Sequence, residues 1–154
     1  MSRAFVKEPD GDTAVEDVLD RPVSAHPNFV TREGMAQIEA ALAAAEREHT
    51  AAVAADDKQG IARAARDLRY WTARRATAQV AAPRKDGQVH FGTTVTLLRD
   101  DGKRQTFRIV GEDEADPTHE KLSYVAPLAG ALMSKQVGDT AQIGNAEMEI
   151  IEID

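Results

Sequence analysis

Two adjacent aspartates in the stretch AADDKQG, residues 54–60, lie between two Ala-rich segments that are both predicted to be helical, and they are the first side chains to consider for chemistry. Mg²⁺ prefers hard oxygen ligands in near-octahedral geometry, so Asp56 or Asp57 could complete its coordination shell. A second interpretation needs no metal. In it Asp56 caps the helix that follows, Gln59 completes a capping box, and Asp57 complements the helix dipole. We favour the second interpretation and keep the first open.

A second acidic cluster lies in the stretch EDEAD and comprises Glu112, Asp113, Glu114 and Asp116. Because it follows a predicted strand, we interpret it as a solvated loop or as a complement to a basic partner surface, in preference to a cation site. The histidines share no i,i+4 spacing and have no neighbouring ligand cluster, which speaks against a zinc site at His26, His49, His90 or His119.

Basic side chains are concentrated in the segment RAARDLRYWTARR, residues 63–75. They could bind nucleic-acid phosphates, but they do not share one helical face, and we interpret them as a solvated helix with local pairing to Asp67. Tyr70 and Trp71 could stack on a base, although Trp71 falls on an apolar seam and packing within the protein is the preferred interpretation. The arginines concerned are Arg63, Arg66, Arg69, Arg74 and Arg75.

Composition excludes several classes of function. The 154 residues include no cysteine, which rules out disulfides, thiolate catalysis and Cys-ligated zinc. A net charge of −7 speaks against broad coating of nucleic acid, which needs clustered cations. No apolar run has the ~18–20 residues of a membrane span, and the first residues lack the apolar core of a signal peptide. We therefore expect a cytoplasmic protein that does not contact a membrane.

Two apolar seams with spacings of 3 and 4 predict an antiparallel pair of helices around AADDKQG. Thr31 is the predicted cap of the first helix, and Pro83 is expected to end the second. The first seam comprises Met35, Ile38, Leu42, Ala45, His49 and Ala52, and the second Ile61, Ala64, Leu68, Trp71, Arg75 and Ala78. Alanine at many of these positions allows close approach of the helices but limits the buried area.

After residue 83 the apolar period changes to 2, which is typical of strands. Predicted strands contain Val89, Phe91, Val95 and Leu97, then QTFRIVG, then Leu122 and Tyr124, with a final hairpin around Gly144-Asn145. Pro127 is expected to start a short helix, PLAGALMS. The predicted fold class is α+β, an antiparallel coiled-coil hairpin followed by a small antiparallel sheet domain. We predict a disordered tail over 1–28, the hairpin over 29–82, a linker over 83–88 and the sheet domain over 89–154.

This order of elements, and several stretches within it, resemble the GreA/GreB transcription elongation factors. FVTREGMAQIEAAL resembles the family's opening, VHFGTTVTL and TFRIVGEDEAD its C-terminal strands, and KLSYVAPLAGALMSKQVGDTA its short helix and Val-Gly-Asp turn. The resemblance covers about residues 29–154. It implies an FKBP-like fold for the C-terminal domain.

The resemblance also implies a partner and a role. Family members dock the C-terminal domain on the rim of the secondary channel of bacterial RNA polymerase, and the coiled coil reaches down the channel. Acidic tip residues help hold Mg²⁺ in the polymerase's own active site, where they promote hydrolysis of backtracked RNA. The implied protein is a regulator, not an enzyme, with no cofactor of its own and at most indirect contact with nucleic acid. The partner-binding surface is expected around Asp113, Asp116, Val125, Ala126 and Pro127.

This sequence departs from the family pattern in two places. Cleavage-competent members have a longer hairpin whose tip carries an acidic residue and a Glu-Asn-Ala string, and the present chain lacks about 20 residues there, or roughly 15 Å of reach. Val125 and Ala126 stand where typical members have a polar pair before the proline, as in the regulator-of-nucleoside-diphosphate-kinase relatives. The resemblance therefore predicts a polymerase-binding regulator without strong cleavage stimulation. Two alternatives are a cleavage factor that uses Asp56 or Asp57, and an FKBP-like binding module for another protein.

Overall fold

A computed structural model of the chain describes residues 17–154, and the first sixteen residues lie outside that range. The described part has the predicted α+β architecture, a helical hairpin followed by a curled five-stranded sheet with one short helix. Within residues 17–154, no helix combines the length and the apolar character needed to cross a bilayer.

The hairpin consists of α1, Arg32–Ala54, and α2, Lys58–Thr77. Thr31 caps α1 as predicted, since its side-chain oxygen accepts the N–H of Gly34 at 2.9 Å. With 23 residues, α1 is about 35 Å long at 1.5 Å per residue. The turn at residues 55–57 returns the chain, so that the two helices pack along their length.

Small side chains form most of the interface between the helices. Ile38, Ala45, Ala52 and Ala64 are buried there, which confirms the alanine-rich seam. The predicted seam fails at its base, where Arg75 is exposed and Arg74 is buried instead. α2 ends at Thr77, before the predicted end at Pro83, and the chain that follows it is extended.

A two-stranded parallel ladder that the sequence pattern did not predict closes the base of the hairpin. It pairs β1, Phe29–Val30, with β2, Gln79–Val80. The N–H of Gln79 donates to the carbonyl of Asn28 at 2.8 Å, and the N–H of Ala81 donates to that of Val30 at 3.0 Å. The extended chain after α2 is thereby held beside the chain that enters α1.

The C-terminal sheet has the spatial order β5-β4-β3-β7-β6. Its strands are β3, Thr94–Arg99; β4, Arg104–Val110; β5, Lys121–Ser123; β6, Thr140–Ile143; and β7, Ala146–Ile153. The predicted antiparallel pairing holds except between β4 and β5, which are parallel. The reason is the connection, in which the acidic loop and a 3₁₀ turn, Pro117–His119, cross back before β5 begins.

One face of this sheet packs on the short helix α3, Pro127–Leu132, to form the main core. Fully buried members include Val95, Leu97, Ile109, Leu132 and Ile150. Val89 also belongs to this core, but neither it nor Phe91 lies in a strand as predicted. Both precede a turn at Gly92, whose φ of 86° is accessible to glycine.

Residues 17–28, here called the N-terminal strap, run beside α2. The guanidinium of Arg21 lies 3.8 Å from the centre of the Tyr70 ring, and Asp20 pairs with Arg69 at 2.6 Å. Residues 17–28 belong to the expected disordered tail, and they contact the hairpin at these points, while the first sixteen residues of that tail lie outside the described range. The predicted boundaries of the hairpin, linker and sheet domain stay predictions.

Candidate functional site

The cap of α2 at the hairpin tip is Asp57, and not Asp56 as predicted. The Asp57 carboxylate accepts the N–H of Gly60 at 3.0 Å, from an extended backbone with φ −88°. Asp56 has φ 51°, in the left-handed region that aspartate tolerates better than most residues. The turn needs one left-handed residue before the extended cap, which moves the cap one position along the chain.

The chemistry available at the tip is limited by this geometry. Asp56 and Asp57 are both exposed, but one oxygen of Asp57 is used in the cap. Over residues 17–154, no three acidic or histidine side chains are grouped so that they could hold a metal ion. The tip can at most contribute a carboxylate to a metal that another molecule already holds.

The acidic loop after β4 forms a junction with the helical hairpin, whereas the sequence predicted a solvated loop or a complement to a basic partner surface. Asp113 is only 10% exposed and accepts a hydrogen bond from Nε of Arg74 at 2.5 Å. The hydroxyl of Tyr70 also donates to Asp113. Glu112 lies 3.9 Å from the guanidinium of Arg74. Asp113 is thus satisfied within the chain, which speaks against the partner-binding role expected for it.

Glu114 anchors the other helix of the hairpin. It is 5% exposed, and its Oε2 accepts the hydroxyl proton of Thr31, the cap of α1, at 2.5 Å. Its Oε1 accepts no hydrogen bond among the described residues and lies 3.8 Å from the ammonium of Lys121. The base of each helix is therefore tied separately to the same loop.

Asp116 remains on the surface at the far end of this loop. Its carboxylate accepts the hydroxyl of Thr118 at 2.7 Å and contacts Nδ1 of His119 at 2.6 Å. The hydrogen bond from the Thr118 side chain, followed by that from His119, lowers the pKa of Asp116 to about 2. Asp116 is therefore ionised at neutral pH.

The other predicted partner-binding residues lie at the start of α3. Val125 and Ala126 are half-buried and Pro127 is exposed. Ala126 occupies the cap position without a side-chain hydrogen bond, and Pro127 follows in the first turn. A shallow cleft lined by Asp113, Asp116 and other residues of the acidic loop includes none of these three. The predicted partner-binding surface thus consists of two separate parts, the acidic loop and the start of α3.

Most of the arginines are paired inside the chain, in agreement with the interpretation that needs no nucleic acid. Arg66 bonds Asp67 at 3.0 Å. Arg69 pairs with Asp20, and Arg75 lies 3.7 Å from Glu39. Sequence reasoning considered Arg74 only as one of five possible phosphate-binding arginines and did not foresee its buried place at the junction. Its partners lie 39 and 46 positions away, so no local pattern could have identified them.

Tyrosine ionisation reports directly on the junction. Burial, then the hydrogen bond to Asp113 and its charge, raise the pKa of Tyr70 to about 12. Burial also raises the pKa of Tyr124, the second of the two tyrosines. The folded state favours the protonated phenols. The resulting stabilisation of the fold is present in full below about pH 10, the pKa of an unfolded tyrosine, and is lost as the pH rises through the pKa of Tyr70 in the folded protein.

We expect an alkaline titration followed by tyrosinate absorbance to show Tyr70 ionising near pH 12. Asp113→Asn should move the midpoint towards the ordinary value, because the negative charge is lost while burial remains. The exposed Asp116→Asn is the matched control and should leave it unchanged. An unchanged midpoint in Asp113→Asn would show that the carboxylate does not control Tyr70.

Comparison with known proteins gives one family throughout. The sequence model described as "Transcription elongation factor, GreA/GreB, C-term" matches residues 84–154, which contain the whole five-stranded sheet. Transcription elongation factor GreB of Neisseria meningitidis serogroup B is 41% identical over 96 residues, 58% of this chain and 59% of that protein. Transcription elongation factor GreA of Francisella philomiragia is 37% identical over 107 residues, 66% of this chain and 67% of its own length.

Solved structures of the same group are more distant in sequence. GreA factor homolog 1 (Gfh1) of Thermus thermophilus is 18% identical, with a TM-score of 0.42, over 84% of this chain and 99% of that one. A GreA/GreB factor from Nitrosomonas europaea is 19% identical, with a TM-score of 0.41, over 82% and 98% of the two chains. The chain spans less than two thirds of the GreB relatives' length, 59%.

Proposed function

The chain belongs to the GreA/GreB family of transcription elongation factors, and on that premise we propose that it is a cytoplasmic regulator that binds bacterial RNA polymerase at the secondary channel. The C-terminal domain grips the channel rim, and the helical hairpin enters the channel. The protein modulates access to the channel, or competes with other factors there, without strongly stimulating cleavage of the transcript. It has no cofactor of its own, and any Mg²⁺ is the polymerase's.

The observation that carries the weak-cleavage part of this proposal is the geometry of the tip. Asp57 is committed to capping α2 through the Gly60 N–H. A metal–carboxylate bond is only ~2 Å long, so a hairpin short by roughly 15 Å cannot compensate by side-chain movement. A shortened hairpin with a capped tip can still occupy the channel and exclude other molecules from it.

A cleavage factor is the second candidate, and the exposure of Asp56 favours it. This side chain projects from a left-handed turn residue at the extreme end of the hairpin. If the chain docked more deeply than its relatives, Asp56 would be the carboxylate that reaches the metal. The same two aspartates therefore distinguish the two candidates.

The rim-binding surface is tested by restoring a polar pair before Pro127. Because α3 lacks a side-chain cap, Ala126→Ser supplies one, and Val125→Asp supplies the charge. We expect the double variant to be captured by immobilised core RNA polymerase about tenfold more tightly than the wild type, or ~1.4 kcal/mol. Asn145→Asp, at an exposed turn, is the control for added charge and should bind as the wild type does.

Two results would contradict this assignment of the surface. One is a double variant that binds no better than the wild type while Asn145→Asp behaves identically. The other is failure of polymerase to retain any of the three proteins, which would leave the FKBP-like module for another partner as the better account of the C-terminal domain.

A further inference from the structure

Arg74 has the largest fully buried side chain among the described residues, with 2% of it exposed. Arginine is almost never buried to this degree unless it is paired. It lies in the last turn of α2, at the opposite end of the hairpin from the tip. We propose that Arg74 is a positioning residue, which fixes the direction in which the hairpin projects from the C-terminal domain.

The bonds of Arg74 join three separate parts of the chain. Its Nε donates to Asp113 in the C-terminal domain at 2.5 Å, and its Nη2 donates to Asn28 of the N-terminal strap at 2.8 Å. The Asn28 amide in turn donates to the backbone carbonyl of Arg74 at 2.7 Å and contacts the Thr77 hydroxyl at 3.2 Å. The hairpin, the sheet domain and the strap thus meet at one side chain.

The guanidinium group is suited to fix an angle as well as a distance. It is planar and presents its donors in a rigid fork, whereas a lysine ammonium is a point charge on a flexible stem. Asp113 and Asn28 use different nitrogens of the fork, so rotation of α2 about its attachment would break one bond or the other.

Energetics point to orientation more than to net stability. Burying two charges costs desolvation free energy that their attraction only partly offsets, and a well-packed apolar pair is often as stable. The best-attested use of such a pair is to select one arrangement over others. Removal of the charges of both Arg74 and Asp113 should therefore leave the fold intact, while the angle between the hairpin and the C-terminal domain becomes more variable.

A second attachment, at the start of α1, already holds the hairpin to the sheet domain, so the motion left to be controlled is rotation of the hairpin about its base. α1 is tied to the same loop through the Thr31–Glu114 bond, so one helix is already anchored. The Arg108–Glu33 pair nearby is more exposed, at 31% and 60%, and contributes little to rigidity. On the second helix, Arg74 is the most deeply buried residue that bonds to this loop, and the Tyr70 hydroxyl adds a second hydrogen bond to Asp113.

A small angular freedom at the base has a large effect at the tip. A rotation of about 10° displaces the end of a ~35 Å helix by ~6 Å. The consequence for entry into a channel rests on the proposed function, but the orientation itself does not. The experiment can therefore be performed on the isolated protein.

The chain has no cysteine, so two spin labels can be attached at chosen sites through Ala55→Cys at the tip and Gln142→Cys on β6. Pulsed dipolar spectroscopy then measures the distribution of distances between tip and sheet domain. The test variant is Arg74→Met/Asp113→Leu, which removes both charges. The matched control is Arg75→Met/Glu39→Leu, the neighbouring exposed pair, and Arg74→Lys retains the charge without the fork.

We expect the width of the distribution to increase at least twofold in Arg74→Met/Asp113→Leu, to increase less in Arg74→Lys, and to stay unchanged in the control, with circular dichroism unaltered. A folded double variant with the wild-type width would overturn the proposal. If the double variant does not fold, a wild-type width in Arg74→Lys has the same meaning, and a broadened one supports the proposal. Polymerase capture by the wild type, measured separately, decides the proposed function whatever the widths show.

Discussion

Asp113→Ala is expected to lower the free energy of unfolding by about 3 kcal/mol, the largest effect of any single substitution considered for this protein. The carboxylate it removes is bonded to Arg74, whose side chain is 2% exposed. The guanidinium would be left buried without its main counter-ion, and the Tyr70 hydroxyl would lose its acceptor. We place the value at the lower end of the range for broken buried pairs, because Glu112 lies 3.9 Å from Arg74 and partly compensates its charge.

Chemical denaturation of Asp113→Ala, with Asp116→Ala beside it, measures this effect. Asp116 belongs to the same loop but is 42% exposed, and it caps only a 3₁₀ turn, so its loss should cost much less than the loss of Asp113. Equal costs for the two substitutions would mean that the Arg74–Asp113 pair is no more important than a surface cap.

Gly111→Ala is expected to destabilise the protein by about 1–3 kcal/mol, since overpacking forces the backbone to shift. A methyl group at this position would collide with the backbone carbonyl oxygen of Phe29 in β1. The added methyl group is fixed to the backbone of residue 111 and the oxygen belongs to the backbone of Phe29, so neither can move aside as a flexible side chain would. β1 must therefore retreat from the start of the acidic loop, and Val30, which is 3% exposed, would lose part of its packing.

Gly130→Ala provides the comparison for this substitution. Gly130 lies within α3, and a methyl group added there meets nothing within 4 Å. Because alanine is the better helix former, the change should stabilise by about 0.5–1 kcal/mol. Thermal unfolding of both variants should therefore show shifts of opposite sign. A Gly111→Ala protein as stable as the wild type would mean that β1 is not held against the loop.

The elements that the sequence predicted well are those with local causes. The alanine seam, the Thr31 cap and the Pro127 start of α3 each depend on residues within one or two turns, and all three are present. The cap of α2 was misplaced by one residue because the pattern carries no information on which residue adopts the left-handed conformation.

The features that sequence reasoning missed depend on contacts between distant segments. The burial of Arg74 follows from Asp113 and Asn28, which come from different parts of the chain. The parallel β1–β2 ladder involves strands of two residues each, too short to show a period. An acidic stretch after a strand looks the same in sequence whether it faces solvent or a buried arginine.

The junction changes how the acidic loop should be viewed in the proposed function. Asp113 and Glu114 hold the hairpin, while Asp116 and Pro127 remain accessible to a partner. Charge reversal at Asp113 is therefore a poor probe of polymerase binding, because it would disturb the hairpin at the same time. Substitutions at Val125 and Ala126 act on the surface at the start of α3 without breaking a buried pair.

The central claim is that this protein enters the secondary channel of RNA polymerase without strongly stimulating transcript cleavage. Cleavage of a stalled, backtracked elongation complex tests it most directly, with the protein added alone and in competition with a cleavage-competent family member. We expect the wild type alone to change the cleavage rate by no more than about twofold, or less than ~0.5 kcal/mol of barrier, and to suppress cleavage by its competitor. Strong Mg²⁺-dependent cleavage by the wild type, lost in Asp56→Asn or Asp57→Asn, would contradict the claim and identify the tip as the reactive end.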